Sequence, residues 1–316
     1  MSWTLADIPS QAGRTVVVTG ANAGLGLETA RALASAGAHV VMGARDQERA
    51  TAARDDIARA DPAASLELVP LDLASLASVA DAADAIRSRH GAVDALVNNA
   101  GLMAIPERRT ADGFEMQLGV NHLGHWALTA RLLPALLRAR SGRVVTVTST
   151  AHHFGRALDP DNPHLSGVYD PWRAYCQSKL ANFHFGIGLQ RELERAGVGT
   201  ASLLAHPGLS ATGLQARSVE ETGGWSQRFF HLLARRTGMS PARSALSLLR
   251  AATDPKARGG ELYGPLFVNN GPPVRKPILR RVGLDDAIAR LWAVSERETG
   301  VALGVHEAAT ASRSIS

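Results

Sequence analysis

The chain has 316 residues, 45% hydrophobic and 20% charged, enough to bury one large core as a single extended domain. Its formal charge of +5 and pI near 10.0 come from arginines scattered along the chain rather than gathered in a run, which reads as a solvated basic surface and not as a nucleic-acid-binding tail. There is no long apolar run, Met1–Arg14 lacks the basic flank and apolar stretch of a signal peptide, and the lone Cys176 cannot form an internal disulfide; a cytoplasmic protein without a membrane anchor is the expectation.

From Arg14 onward, short β-branched runs alternate with longer segments of helical period. Strands are predicted at Thr15–Thr19, His39–Gly43, Leu66–Pro70, Ala95–Asn98, Arg143–Thr148 and Thr200–Ala205. Helices are predicted near Leu25–Ala36, Gln47–Ala60, Leu76–His90, Gly113–Arg138 and Trp172–Ala196, each long enough for a right-handed crossover. After His206 comes an aromatic and leucine segment with Trp225, Phe229 and Phe230, then a helix from about Pro241, a short strand near Glu261–Tyr263 and a helix near Asp285–Thr299. The pattern predicts a doubly wound α/β Rossmann fold over residues 1–305, with a mainly parallel seven-stranded sheet and helices on both faces. Residues 209–239 are expected to form a lid or an oligomer contact. The small, polar end at 306–316 is expected to be disordered.

The first strand runs into Gly20-Ala21-Asn22-Ala23-Gly24-Leu25-Gly26 and then a helix, the context a phosphate-binding turn needs: glycine permits positive φ and close backbone approach, and a helix N-terminus favours the pyrophosphate charge. At the end of the second strand, where an NAD enzyme usually carries Asp or Glu for the ribose hydroxyl, stands Gly43-Ala44-Arg45. A guanidinium there can hold a 2′-phosphate, so NADP(H) is expected over NAD(H), although Asp46 adjoins it. Tyr175 and Lys179 lie four residues apart near the start of a predicted helix and so share a face. Tyrosine, with its ordinary pKa near 10, needs a neighbouring cation to act as an acid–base near neutral pH. In a chain with 31 arginines and three lysines, lysine appears first here, where a compact ammonium is wanted.

The TGxxxGxG turn, Asn98-Asn99-Ala100-Gly101 and the YxxxK spacing together resemble the short-chain dehydrogenase/reductase family, over roughly residues 10 to 300. Thr110–Glu115, Leu118–His125, Ser149–His153 and Ala174–Asn182 resemble its retinol-dehydrogenase-like and WW-domain-oxidoreductase-like branch. The resemblance implies catalytic roles for Tyr175, Lys179, Ser149 and Asn121. It implies cofactor contacts from Gly20, Asn22, Gly24, Leu25, Gly26, Arg45, Asp72, Leu73, Asn99, Ala100, Gly101, Tyr175, Lys179, Pro207 and Gly208. The implied reaction is hydride transfer between NADP(H) and a carbonyl or alcohol on a lipophilic small molecule, without a metal. Reduction of an activated C=C bond, or a non-catalytic NADP-binding sensor or scaffold, remain alternatives on the same fold. The family resemblance also allows homo-oligomers. His122 with His125, and His152 with His153, bring no third and fourth ligand at zinc-like spacing and are read as core or pocket-lining groups.

Overall fold

The apolar runs fold into eight strands of one sheet in a computed structural model that describes residues 2–209, 238–279 and 283–313. β1 (Thr15–Thr19), β2 (His39–Ala44), β3 (Ser65–Pro70), β4 (Ala95–Asn98), β5 (Arg143–Val147), β6 (Ala201–Ala205) and β7 (Leu262–Phe267) are parallel, and β8 (Asn270–Lys276) adds antiparallel to β7. The order is β3-β2-β1-β4-β5-β6-β7-β8, so the winding reverses between β1 and β4, where α/β sheets open a crevice for ligands.

Period-2 patterning in these strands sends alternate side chains to opposite faces. Val16, Val18, Val40, Met42, Ala95 and Val97 pack under α1 (Gly24–Ser35), α2 (Gln47–Ala60) and, later in the chain, α7 (Pro241–Thr253). Val17, Val41, Leu96 and Val144 pack under α3 (Leu76–Arg89), α5 (Gly124–Arg138) and α6 (Pro171–Arg195). Both faces are therefore apolar, as a covered parallel sheet requires. Among the described residues, no helix is long and apolar enough to cross a membrane.

Three expectations are corrected. The sheet has eight strands and not seven: β8 holds Pro272 and Pro273, which argue against a strand interior but are tolerated on an edge, where no further strand needs their N–H groups. The single helix expected at Gly113–Arg138 is broken. The buried Glu115 carboxylate accepts from the amides of Gln117 and Leu118 at 2.8 and 2.7 Å and so starts α4 (Met116–Leu118), and a π-helical turn at Gly119–Leu123 precedes α5. The disordered end expected at 306–316 is instead helical as far as Arg313: after α8 (Leu284–Thr299), α9 (Val305–Arg313) places Val305 and Ala309, one turn apart, into the core against α5 and α6.

The expected lid falls largely on residues 210–237, outside the described residues. Its two ends meet: the Met239 amide donates to the Leu209 carbonyl at 2.9 Å, and the Leu209 amide donates to the Asn269 carbonyl at 3.1 Å.

Candidate active site

A cleft of about 750 Å³ opens at the carboxyl ends of β1, β2, β4 and β5, within the range of small-molecule sites. Its floor is the turn after β1. Gly20 has φ +67, and a Cβ there would meet Ala100 Cβ at 3.0 Å. A Cβ on Gly26 would fall 2.2 Å from the Gly20 carbonyl and 2.6 Å from Asn99 Nδ2. Glycine is thus required at both positions, once for conformation and once for space. Gly20, Asn22, Gly24 and Leu25 line the cleft, whereas Gly26 supports the turn from behind. The N-cap of α1, Ala23, makes no side-chain capping bond, and the first turn of the helix carries no acid. The orphan amides of that turn accordingly face an opening suited to an anion.

The NNAG turn locks onto the same strand. Thr19 Oγ1 accepts from the amides of Asn99 and Ala100 at 2.9 and 3.0 Å, and Asn99 Nδ2 donates to the Thr19 carbonyl at 2.8 Å. Gly101 faces Asn121 and Lys179: a Cβ there would lie 3.1 Å from Asn121 Oδ1 and 3.4 Å from Lys179 Nζ. Asp72 and Leu73 border the cleft beyond β3, the Asp72 carboxylate accepting from the Ala74 amide at 3.0 Å.

Arg45 is exposed on the cleft wall just past β2. The neighbouring Asp46 caps α2, accepting from the Arg49 amide at 3.0 Å, so its carboxylate is engaged in ending a helix. Arg49 also lines the cleft. Sequence reading missed it, although it stands four residues after Arg45 in the first turn of α2, where the capping Asp46 is the signal that could have placed it.

On the opposite wall α6 carries Tyr175 and Lys179, both buried. Lys179 Nζ stands 5.9 Å from the Tyr175 ring centre and donates to the Val147 carbonyl at 3.4 Å. Burial pushes the Tyr175 phenol up to about 12, opposed by its hydrogen bond with Ser149. Burial also brings the Lys179 ammonium down to about 8. Ser149 lies two residues past β5 and caps a short 3-10 turn, Thr150–Phe154, its hydroxyl accepting from the Ala151 amide at 3.2 Å. Thr148 points away and donates to the Lys179 carbonyl at 2.8 Å, which leaves Ser149 as the hydroxyl beside Tyr175.

Asn121 does not line the cleft. It lies wholly buried behind Gly101: Oδ1 accepts from the Leu102 amide at 2.7 Å, and Nδ2 donates to the Leu102 carbonyl at 3.0 Å and to Ser178 Oγ at 2.8 Å. Pro207 and Gly208 close the far rim. Gly208 has φ +72, and a Cβ would fall 2.7 Å from the Asn269 carbonyl. The remaining lining, including Met103, Ala151, Phe154, Trp172 and Cys176, is mostly apolar. The histidines weighed as ligands are otherwise engaged: His122 Nε2 bonds Ser295 Oγ at 2.8 Å, and His152 Nδ1 bonds the Ser149 carbonyl at 2.5 Å. Among the described residues, the group of side chains close enough to share an ion is His39, Glu67 and His90, none of which lines the cleft.

This fold, with a glycine turn, an NNAG turn and a Tyr–Lys pair around one cleft, is that of a nicotinamide-dependent oxidoreductase. The family model described as short chain dehydrogenase matches residues 14–223, and the chain belongs to that family. It is 40% identical to the polyprenol dehydrogenase of Mus musculus over 305 residues, covering 94% of this chain and 87% of that one. It is 35% identical to retinol dehydrogenase 13 of Mus musculus over 303 residues, with 93% and 87% covered. A crystal structure of a Mycobacterium paratuberculosis protein shares 41% identity at a TM-score of 0.76, covering 96% of this chain and 99% of that one. The retinol-dehydrogenase-like branch expected from the motifs is the branch these relatives represent.

Proposed function

We propose that the protein interconverts a carbonyl and an alcohol on a lipophilic small molecule with NADP(H), using Tyr175 as acid and base. The observation that carries this reading is the convergence on one cleft of Tyr175, its hydrogen-bonded Ser149, and Lys179 one helical turn away. The residues present fit a dinucleotide. The open N-terminus of α1 and the turn at Gly20–Gly24 would take the pyrophosphate, Arg45 and Arg49 the 2′-phosphate, and Asn99–Gly101 with Lys179 the nicotinamide ribose.

When bound, the cofactor supplies the hydride. Ser149 holds the substrate oxygen against the phenol, and Tyr175 gives up its proton as the carbonyl becomes an alcohol. Lys179 stabilises the resulting phenolate by charge, offsetting the burial that holds the phenol up. The apolar wall of Met103, Phe154 and Trp172 favours a lipophilic substrate, as do the polyprenol and retinol of the relatives' names.

The test is NADPH oxidation with a series of isoprenoid and straight-chain aldehydes, with product analysis. The alcohol as product, with NADPH preferred over NADH, supports the proposal. A saturated carbonyl would replace it with C=C reduction, and tight NADPH binding without turnover across the series would point to a sensor.

A further inference from the structure

The catalytic assignment leaves unexplained a histidine sealed into the interior beside it. His125, on the first turn of α5, is 1% exposed. Its Nε2 lies 2.9 Å from Thr19 Oγ1, and its Nδ1 lies 3.0 Å from the backbone carbonyl of Asn121.

The proton positions follow from counting donors. The amides of Asn99 and Ala100 are obligatory donors, so both lone pairs of Thr19 Oγ1 are taken. Its single hydroxyl proton is left for His125 Nε2 at 2.9 Å, with the Val97 carbonyl more distant at 3.4 Å. Nε2 then accepts, and the ring proton sits on Nδ1, where it donates to the Asn121 carbonyl. One neutral tautomer satisfies every group in the chain of bonds. Complete burial holds the imidazole neutral, with its pKa down at about 4. The chain runs from the NNAG turn, through the end of β1, to the π-helical turn that carries Asn121. It thereby ties the cofactor side of the cleft to the segment that backs Gly101 and Lys179.

We infer that His125 is a positioning residue: its neutral ring couples the Thr19-anchored NNAG turn to the Asn121 carbonyl, fixing the nicotinamide-side floor relative to Lys179. This rests on the oxidoreductase reading above. Asn121 already spends its side chain on Leu102 and Ser178, so its backbone carbonyl is the group left to orient, and His125 holds it. Leucine in place of His125 would leave both the hydroxyl and the carbonyl buried without this partner. Glutamine keeps one donor and one acceptor.

The experiment is a double-mutant cycle of His125→Leu and Thr19→Val, reading NADPH Kd by fluorescence and kcat with a turned-over aldehyde. Each single change is expected to raise Kd and lower kcat by about tenfold. The double variant is expected to lie within about threefold of the worse single, because both remove one network. Thr19→Ser and His125→Gln are expected to recover most of each loss. Should His125→Leu not fold, the cycle is run with His125→Phe, which keeps a planar ring without either nitrogen and is expected to show the same non-additivity. Losses that multiply in the double variant, or a folded His125→Leu chain with wild-type Kd and kcat, overturn the inference. A wild-type chain that neither binds NADPH nor turns over aldehydes overturns the functional reading and this inference with it, whereas an active wild type with multiplying losses overturns this inference alone.

Discussion

Lys179 Nζ stands 5.9 Å from the centre of the Tyr175 ring, one turn further along α6 and equally buried. Burial acts in opposite directions on the two groups, raising the phenol to about 12 and lowering the ammonium to about 8. Each therefore costs most when ionised alone, and a phenolate beside an ammonium is the charged arrangement that lessens both penalties. Removing the phenol hydroxyl should abolish proton transfer while sparing the site. Tyr175→Phe is expected to lower kcat by roughly 10²–10⁴-fold, with NADPH Kd within about threefold of wild type because the ring still packs on Trp172. Steady-state rates together with fluorescence titration of NADPH check it; a variant that keeps more than a tenth of the wild-type rate would remove Tyr175 from the proton step.

The same pair predicts a pH dependence with a definite sign. Alcohol oxidation starts from phenolate and carbonyl reduction from phenol, so from about pH 6 to 10 the oxidation rate should rise and the reduction rate fall as the Tyr175 phenol, pushed up to about 12 by burial and drawn back by the Lys179 ammonium, begins to ionise. Lys179→Met takes away the cation that favours phenolate, and its rising oxidation limb should move to higher pH by at least about one unit. Initial rates in both directions across this range decide the matter; an unmoved limb would mean that Lys179 does not act on Tyr175 by charge.

Arg45 stands on the cleft wall with Asp46 turned into the cap of α2. A charge-assisted bond to a phosphate contributes about 1.5–3 kcal/mol. Arg45→Ala is accordingly expected to raise the KM for NADPH by about 10- to 100-fold and leave the KM for NADH within about twofold. Arg49→Ala should show the same selectivity at smaller size, since Arg49 lies further along α2. Equal losses with both cofactors would place Arg45 on a part they share and withdraw the NADP preference.

Residues close in sequence carried most of what could be read before the structure. The glycine turn and the Tyr175–Lys179 pair each sit on one local element, so spacing alone places their members together. The first six parallel strands declared themselves as β-branched runs to within a residue at their ends, whereas β7 runs four residues past the Tyr263 expected to end it. Contacts made across long separations were hidden. Thr19 and His125 are 106 positions apart and meet only because β1 and α5 pack together. β8 was hidden by its own prolines, which read as a loop until an edge position made them acceptable. α9 was hidden by composition: small residues such as Ala308 and Ala309 carry little hydrophobic signal, yet pack against the core beside α5.

Among the described residues, the imidazoles of His122, His125 and His206 are held neutral by burial, and this sets the acid limit of the fold. His122 is held down to about 3, and His125 and His206 to about 4, in each case chiefly by burial. Unfolded histidine titrates near 6.5, so between about pH 6.5 and 4 the unfolded chain binds protons that the folded chain refuses. Folding stability therefore rises with pH across this window: the contribution is fully present above about 6.5 and is lost as pH falls. At pH 5 the loss is on the order of 2 kcal/mol for each ring, and three such losses make a large part of the stability of an ordinary domain. Thermal unfolding followed by circular dichroism should show Tm falling steeply from pH 7 to pH 5. His122→Gln, placed beside Ser295 and the Trp126 ring, should be less stable than wild type at pH 7 but lose less of its stability on acidification. Parallel Tm-against-pH curves for the variant and the wild type would show that His122 takes up no proton on unfolding in this range.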